Sequence, residues 1–175
     1  LEFELVTDPE ETNFHGGTFD GTYFWLGGAN NLHIEEPNRL YKFALDGTFL
    51  AAYFQPVPEN DRTIIGFYDL TWDGEYLYGV DQGILYQMLP GEEEVELIDS
   101  WPVPQNLVHF LAYDSDHDLF WMGDRLYSSV YGVDRTGTAV YEHENGLYAR
   151  GAGYNAGAED DYNLSLIHIS EPTSL

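Results

Sequence analysis

A chain of 175 residues that is 43% hydrophobic and 16% aromatic can bury the core of one ordinary domain, which excludes disorder along its whole length. Its 31 acidic and 6 basic residues leave a formal charge of −25, so it lacks the clustered Lys and Arg that a nucleic-acid backbone or an anionic membrane surface requires. With no cysteine there are no disulfides and no thiolate metal sites, and no apolar run approaches the roughly 20 residues that span a bilayer.

The charge has two readings: a solubilising surface, suited to a salty medium that screens self-repulsion, or an affinity for cations. The chain begins at Leu1 rather than Met, inside a strand-like run, "LEFELV" (Leu1 to Val6). A leader sequence is therefore expected to have preceded it, and the run itself to be the outer strand of a preceding repeat.

From there the chain repeats itself. The first unit opens with "TFDGTYFW" (Thr18 to Trp25), the second with "LTWDGEYLY" (Leu70 to Tyr78) and the third with "AYDSDHDLFW" (Ala112 to Trp121). Aligning the residue that closes each opening run gives Asp20, Asp73, Asp114 and Asn155. The last two steps are each 41 residues, and the first is 53. Two insertions account for the excess, Ala29 to Asn38 and Pro58 to Ile65. Asp-Gly at 20–21 and 73–74 predicts two-residue hairpins with both residues at positive φ.

A third run follows in each unit: "LYKFALDG" (Leu40 to Gly47), "LYQMLPG" (Leu85 to Gly91) and "VYGVDRTG" (Val130 to Gly137). A fourth closes it: "FLAAYF" (Phe49 to Phe54), "VELIDSW" (Val95 to Trp101) and "TAVYEH" (Thr138 to His143). Pro56, Pro58, Pro102 and Pro104 lie in the connectors after the first two. Four short strands in about 41 residues are the pattern of a propeller blade. One such sheet cannot bury both faces alone, whereas radially packed neighbours cover each other with aromatic side chains.

The predicted architecture is therefore all-β: a partial β-propeller over 1–163. Its three four-stranded antiparallel blades fall near 16–56, 69–104 and 111–145, with a fourth starting at 150–163. Propellers close with about 4–8 blades, so an open arc with neighbouring blades elsewhere in a longer chain is expected. Residues 164–175, "LSLIHISEPTSL", resemble translated sequencing-adapter read-through at the end of an environmental reading frame. They are expected to be a non-native tail, although "LSLIHIS" also alternates like a strand. His168 accordingly carries no functional weight.

Taken together, the motif G-x-[TA]-aromatic-D-G-x-Y-[LF]-[WY], the "[LV]-Y-x-[FMV]" run and its Asp-Gly or Thr-Gly turn resemble secreted bacterial β-propeller repeats. These are similar to the NHL, streptogramin-lyase-like and glutamine-cyclotransferase-like propellers. The resemblance covers Gly16 to Asn155. It implies an extracellular or cell-surface location and a propeller fold, but many different roles.

Five residues before each aligned position stand His15, Tyr68, His109 and Arg150. All would point to one mouth of the ring, where a convergent polar set makes a ligand site. His15-Gly16 also resembles the channel-facing His-Gly of lyase-like propellers, which implies His15 and His109 as catalytic acid and base if the chain is an enzyme. The alternative is the ordinary polarity of loops leading into strands.

Asp114, Asp116 and Asp118 alternate as in hard-cation loops, making a weak candidate for Ca²⁺. Leu119 stands where an EF-hand needs Gly and Arg125 where it needs Glu, so that motif fails. "GEEEVE" (Gly91 to Glu96) and "NAGAEDD" (Asn155 to Asp161) read as solvated turns. Trp25, Tyr78 and Trp121 hold equivalent positions and are expected in the core between blades, while Trp101 is the better candidate for exposure.

No phosphate loop, dinucleotide fingerprint, zinc-protease or nucleophile-elbow motif occurs. The function expected is a non-catalytic binding or scaffold module with a protein or glycan ligand and no cofactor. A propeller enzyme of lyase or cyclotransferase type and a Ca²⁺-stabilised structural repeat are the alternatives.

Overall fold

The computed structural model describes residues 13–29, 37–124, 129–144, 151–154 and 164–167. Apart from one 3-10 turn, Glu59–Asp61, every regular element among them is a β-strand. The strands run β1 (Phe14–Phe19), β2 (Phe24–Gly28), β3 (Arg39–Phe43), β4 (Phe49–Phe54), then β5 (Asp69–Trp72), β6 (Leu77–Asp81), β7 (Ile84–Pro90), β8 (Val95–Pro102). They continue as β9 (Phe110–Asp114), β10 (Leu119–Gly123), β11 (Ser129–Val133), β12 (Ala139–Glu144), β13 (Gly151–Tyr154) and β14 (Leu164–Ile167).

Three sheets each hold four strands in sequence order, β1 to β4, β5 to β8 and β9 to β12. These are the three repeats. β13 pairs antiparallel with β14, Tyr154 opposite Leu164 and Gly151 opposite Ile167. The alternating residues 164–167 thus form a ladder in the structure. The "LEFELV" run, residues 30–36 of the first insertion, Arg125, Arg150, the "NAGAEDD" turn and His168 lie outside the described residues.

The chain forms two compact units, Leu1–Asp81 with Tyr86–Ser100, and Gln82–Leu85 with Trp101–Leu175. In the first, the inner strands β1 and β5 run side by side. A bulge between His15 and Gly17 makes this approach possible. Gly16 sits there at φ +39°, and a Cβ on it would collide with the backbone and carboxylate of Asp69 and the carbonyl of Tyr68. Across the same unit the Tyr53 hydroxyl donates to the carbonyl of Glu92, 3.5 Å away in the "GEEEVE" turn. In that turn the glutamates are exposed and Val95 is buried.

Burial follows the repeat. All five residues of β6 and all five of β10 are buried. Trp25, Leu40, Phe43, Tyr78, Tyr86, Phe110 and Phe120 are among the most deeply enclosed side chains. Burying each contributes about 1.5–3 kcal/mol relative to exposure. Trp101 is half-buried rather than exposed.

The hairpin turns differ in one respect from the Asp-Gly expectation. Only the glycine has positive φ, +95° at Gly21 and +106° at Gly74. The aspartate stands just before the turn, and its side chain takes over an acceptor role in it. Asp20 Oδ1 accepts the backbone N–H of Thr22 and Tyr23, each at 2.7 Å, while Oδ2 accepts the indole N–H of Trp25 at 2.7 Å. Asp73 does the same for Glu75 N–H, Tyr76 N–H and the Tyr78 hydroxyl, at 2.8, 2.7 and 2.9 Å. One carboxylate thus closes the turn and anchors the large aromatic of the next strand.

Hydrogen bonds to a charged acceptor are worth about 1.5–3 kcal/mol each when removal strands the donor. Asp73→Ala is expected to destabilise the protein by about 2–3 kcal/mol, and Asp73→Asn, which keeps an acceptor, by about 1. Urea unfolding would show this as a lower midpoint at unchanged slope; equal losses for both variants would contradict the clamp.

Candidate functional site

In each four-stranded sheet the first strand starts, the second ends and the third begins at the same end, opposite the aspartate turns. His15, Tyr68 and His109 lie at this end. His15 is in β1 opposite Gly27 at the bulge. Tyr68 and His109 each precede an inner strand and donate a backbone N–H to the second strand, to Val80 at 2.9 Å and to Gly123 at 2.8 Å. The repeat-based alignment of these two positions therefore corresponds to one structural register.

Within the first unit the structure brings His15 and Tyr68 together, with ring centroids 6.1 Å apart and an edge-on angle of 66°. Nearby, Asp81 at the end of β6 accepts the Thr63 hydroxyl at 2.6 Å, and Thr63 Oγ1 in turn accepts the Gly66 N–H at 2.8 Å. Asn38 donates to the Thr63 carbonyl at 2.8 Å, and Gln55 accepts the Phe67 N–H at 3.1 Å. This buried network ties the insertion 58–65 to the sheet ends.

His109 belongs to the second unit. Its Nδ1 is 3.3 Å from the Leu107 carbonyl and 3.5 Å from the carboxylate of Asp124. Both neighbours only accept hydrogen bonds, so a proton on Nδ1 is the one this geometry suits. Asp124 is 2% exposed. It lines a cavity of about 420 Å³ together with Pro104, Gln105, Asn106, Leu107, Ser129 and Tyr131. That volume falls in the range of small-ligand sites, about 300–1,000 Å³. Sequence reasoning missed Asp124 and Gln105. The usable signal for Asp124 was its match to Asp81, each carboxylate standing at the end of its sheet's second strand.

The alternating carboxylates of the third turn point to different tasks. Asp114, fully buried, accepts the backbone N–H of Asp116 and His117 at 3.0 and 3.1 Å. It also accepts the His117 Nδ1–H at 2.9 Å and the Trp121 indole N–H at 3.1 Å. Asp118, at φ +55°, accepts from the Tyr113 hydroxyl at 2.8 Å and from Arg135 Nε at 2.7 Å. Asp116 is exposed. Among the described residues no three His, Asp or Glu side chains group to hold a metal ion. Trp25, Tyr78 and Trp121 are all buried, as the repeat predicted, each bonded to its turn aspartate.

No protein-family model matches the sequence, and no curated protein does. Solved structures do match. The chain superimposes on a glutaminyl cyclase from Myxococcus xanthus with a TM-score of 0.63 at 14% identity, over 82% of this chain and 64% of that one. It also superimposes on a chain of a mitotic checkpoint complex with a TM-score of 0.58 at 14% identity, over 86% of this chain and 45% of the other.

The fold is a partial β-propeller. The chain spans less than two thirds of the length of either propeller relative. At such identities the likeness fixes the fold and leaves chemistry to the residues. Among the described residues no helix is long and apolar enough to cross a membrane.

Burial pushes the Asp114 carboxyl up, but its bonds from Trp121, His117 and the turn backbone outweigh this and hold it below the usual 3.8. A carboxyl depressed on folding stabilises the native state above its unfolded value. That contribution is lost as pH falls through about 4 toward the lower folded value. Stability is therefore expected to fall more steeply below about pH 4 in the wild type than in Asp114→Asn. Urea titrations at pH 7, 4 and 3 would check this, and parallel curves would refute it.

Proposed function

We propose that this chain is a non-catalytic binding or scaffold module of a secreted or cell-surface β-propeller protein, with a protein or glycan as its ligand. The observation that carries the reading is the 420 Å³ cavity at the strand-start end of the second unit, where polar groups converge beside apolar walls. Two further features support it. The aspartates that recur along the chain are occupied by turn and aromatic donors, which is structural work. The acidic surface keeps such a module soluble outside the cell.

A second reading has an observation of its own. The buried Asp124 carboxylate beside His109 Nδ1 is the arrangement that orients an imidazole for acid–base work. On that reading the chain is part of a propeller enzyme of lyase or cyclotransferase type, with His15 and His109 as acid and base.

Protein and glycan arrays probed with the chain, together with turnover assays for glutaminyl cyclisation and polysaccharide lysis, separate the two. Array binding without turnover is the expected result. Turnover that disappears in the His15→Ala/His109→Ala double variant, with the fold retained, would reject the module reading.

A further inference from the structure

We propose that the cavity of the second unit takes a cationic nitrogen group, the guanidinium or ammonium end of an Arg or Lys side chain on a protein partner. This rests on the binding-module reading and names the ligand of its site.

One buried acceptor on the cavity wall has no donor. Gln105 is 8% exposed, and its Nε2 donates to the Ser129 carbonyl at 3.4 Å. A carbonyl only accepts, which fixes the amide nitrogen on that side. The other end of the amide, Oε1, is buried and has no hydrogen-bond partner. A buried acceptor left unmet is destabilising, a penalty that an incoming N–H recovers after a small rotation of the side chain.

Among the described residues the charge on the wall has one sign. Asp124 lines the cavity, and the Tyr131 hydroxyl donates to the Glu142 carboxylate at 2.9 Å. None of the described residues lining it is Lys or Arg. An anion in the cavity would be repelled by the Asp124 carboxylate in its wall. The Gln105 amide turns its N–H toward the Ser129 carbonyl and keeps its oxygen for an incoming donor. A guanidinium or ammonium only donates. Pro104, Leu107 and the Tyr131 ring supply apolar surface for the aliphatic stem of such a side chain. The formal charge of −25 draws cations toward the protein before contact.

The site is held in place by neighbouring backbone. Gly83, at φ +75°, packs so closely on Gln105 and Asn106 that a Cβ would lie 2.8 Å from the Gln105 carbonyl. The Val103 N–H donates to the Gly83 carbonyl at 2.8 Å. The Gln105–Asn106 segment is therefore pinned before any ligand arrives, which lowers the entropy cost of binding.

The test is calorimetry and amide-resolved NMR of the 175-residue chain with N-acetylarginine methylamide, its neutral isostere N-acetylcitrulline methylamide, and maltotriose. The arginine probe is expected to shift the amide signals of Gln105, Asn106 and Ser129, and to bind at least about tenfold more tightly than the citrulline probe. Gln105→Met removes the acceptor at nearly constant volume and is expected to weaken the arginine probe about tenfold. Asp124→Asn is expected to abolish the preference over citrulline, and Gln105→Met carries the test if that variant does not fold. Equal binding of arginine and citrulline, maltotriose moving those signals in place of arginine, or no shift with any probe would each overturn the proposal. Array binding accompanied by one of those results would remove the cation assignment and leave the module reading standing.

Discussion

One interaction recurs in all three four-stranded sheets: a turn aspartate whose carboxylate holds both the turn backbone and the aromatic of the next strand. Asp20 with Trp25, Asp73 with Tyr78 and Asp114 with Trp121 are the same device. The carboxylate does two things that an apolar residue cannot. It completes the backbone bonding of a tight turn, and it satisfies the polar edge of an indole or phenol that would otherwise be buried unmet. With that edge satisfied, the rest of the ring is free to serve as core. The third turn is two residues longer, yet the clamp survives, with His117 adding a donor. This is why the spacing from aspartate to aromatic changes while the pairing does not.

The clamps occupy one end of each sheet, and that division shapes the chemistry of the molecule. At the clamped end, recurring acidic residues are consumed by structure. At the opposite end, where inner strands begin, the polar residues differ from sheet to sheet: His15 and Tyr68 in contact, the Asp81–Thr63 network, and His109 beside Asp124. A repeat fold needs the first end to be uniform and leaves the second end free to vary. Similarity to propellers of unrelated description fits this, since 224 solved chains match and the fold alone does not choose among their roles.

Much of the fold was legible in the sequence because a blade is a local object. Its four strands follow one another in order, its turns are short, and period-2 aromatic runs mark each strand. The Asp20, Asp73 and Asp114 alignment located all three sheets. It misread the turn itself, because Asp-Gly is compatible with two geometries. In one both residues take positive φ; in the other only glycine does, and the choice depends on whether the aspartate has an aromatic donor to hold. At the sheet ends, His15, Tyr68 and His109 were reached by counting back from the repeat. Asp124 was legible only through its match to Asp81, and Gln105 was not, since it stands out in neither composition nor spacing.

The sequence by itself determined what short-range chemistry can encode: strand number and order within each sheet, the turn positions, the aromatic core and the acidic surface. These depend on residues a few positions apart. Tertiary structure alone decided which polar groups meet. His15 reaches Tyr68 because a bulge at Gly16 lets β1 approach β5. Gln105 meets Ser129 because Gly83 admits its backbone, and His109 meets Asp124 because strand pairing sets the end of β10 beside the start of β9. Those pairs are separated by 15 to 53 residues, and packing, not local pattern, determines distances of that kind.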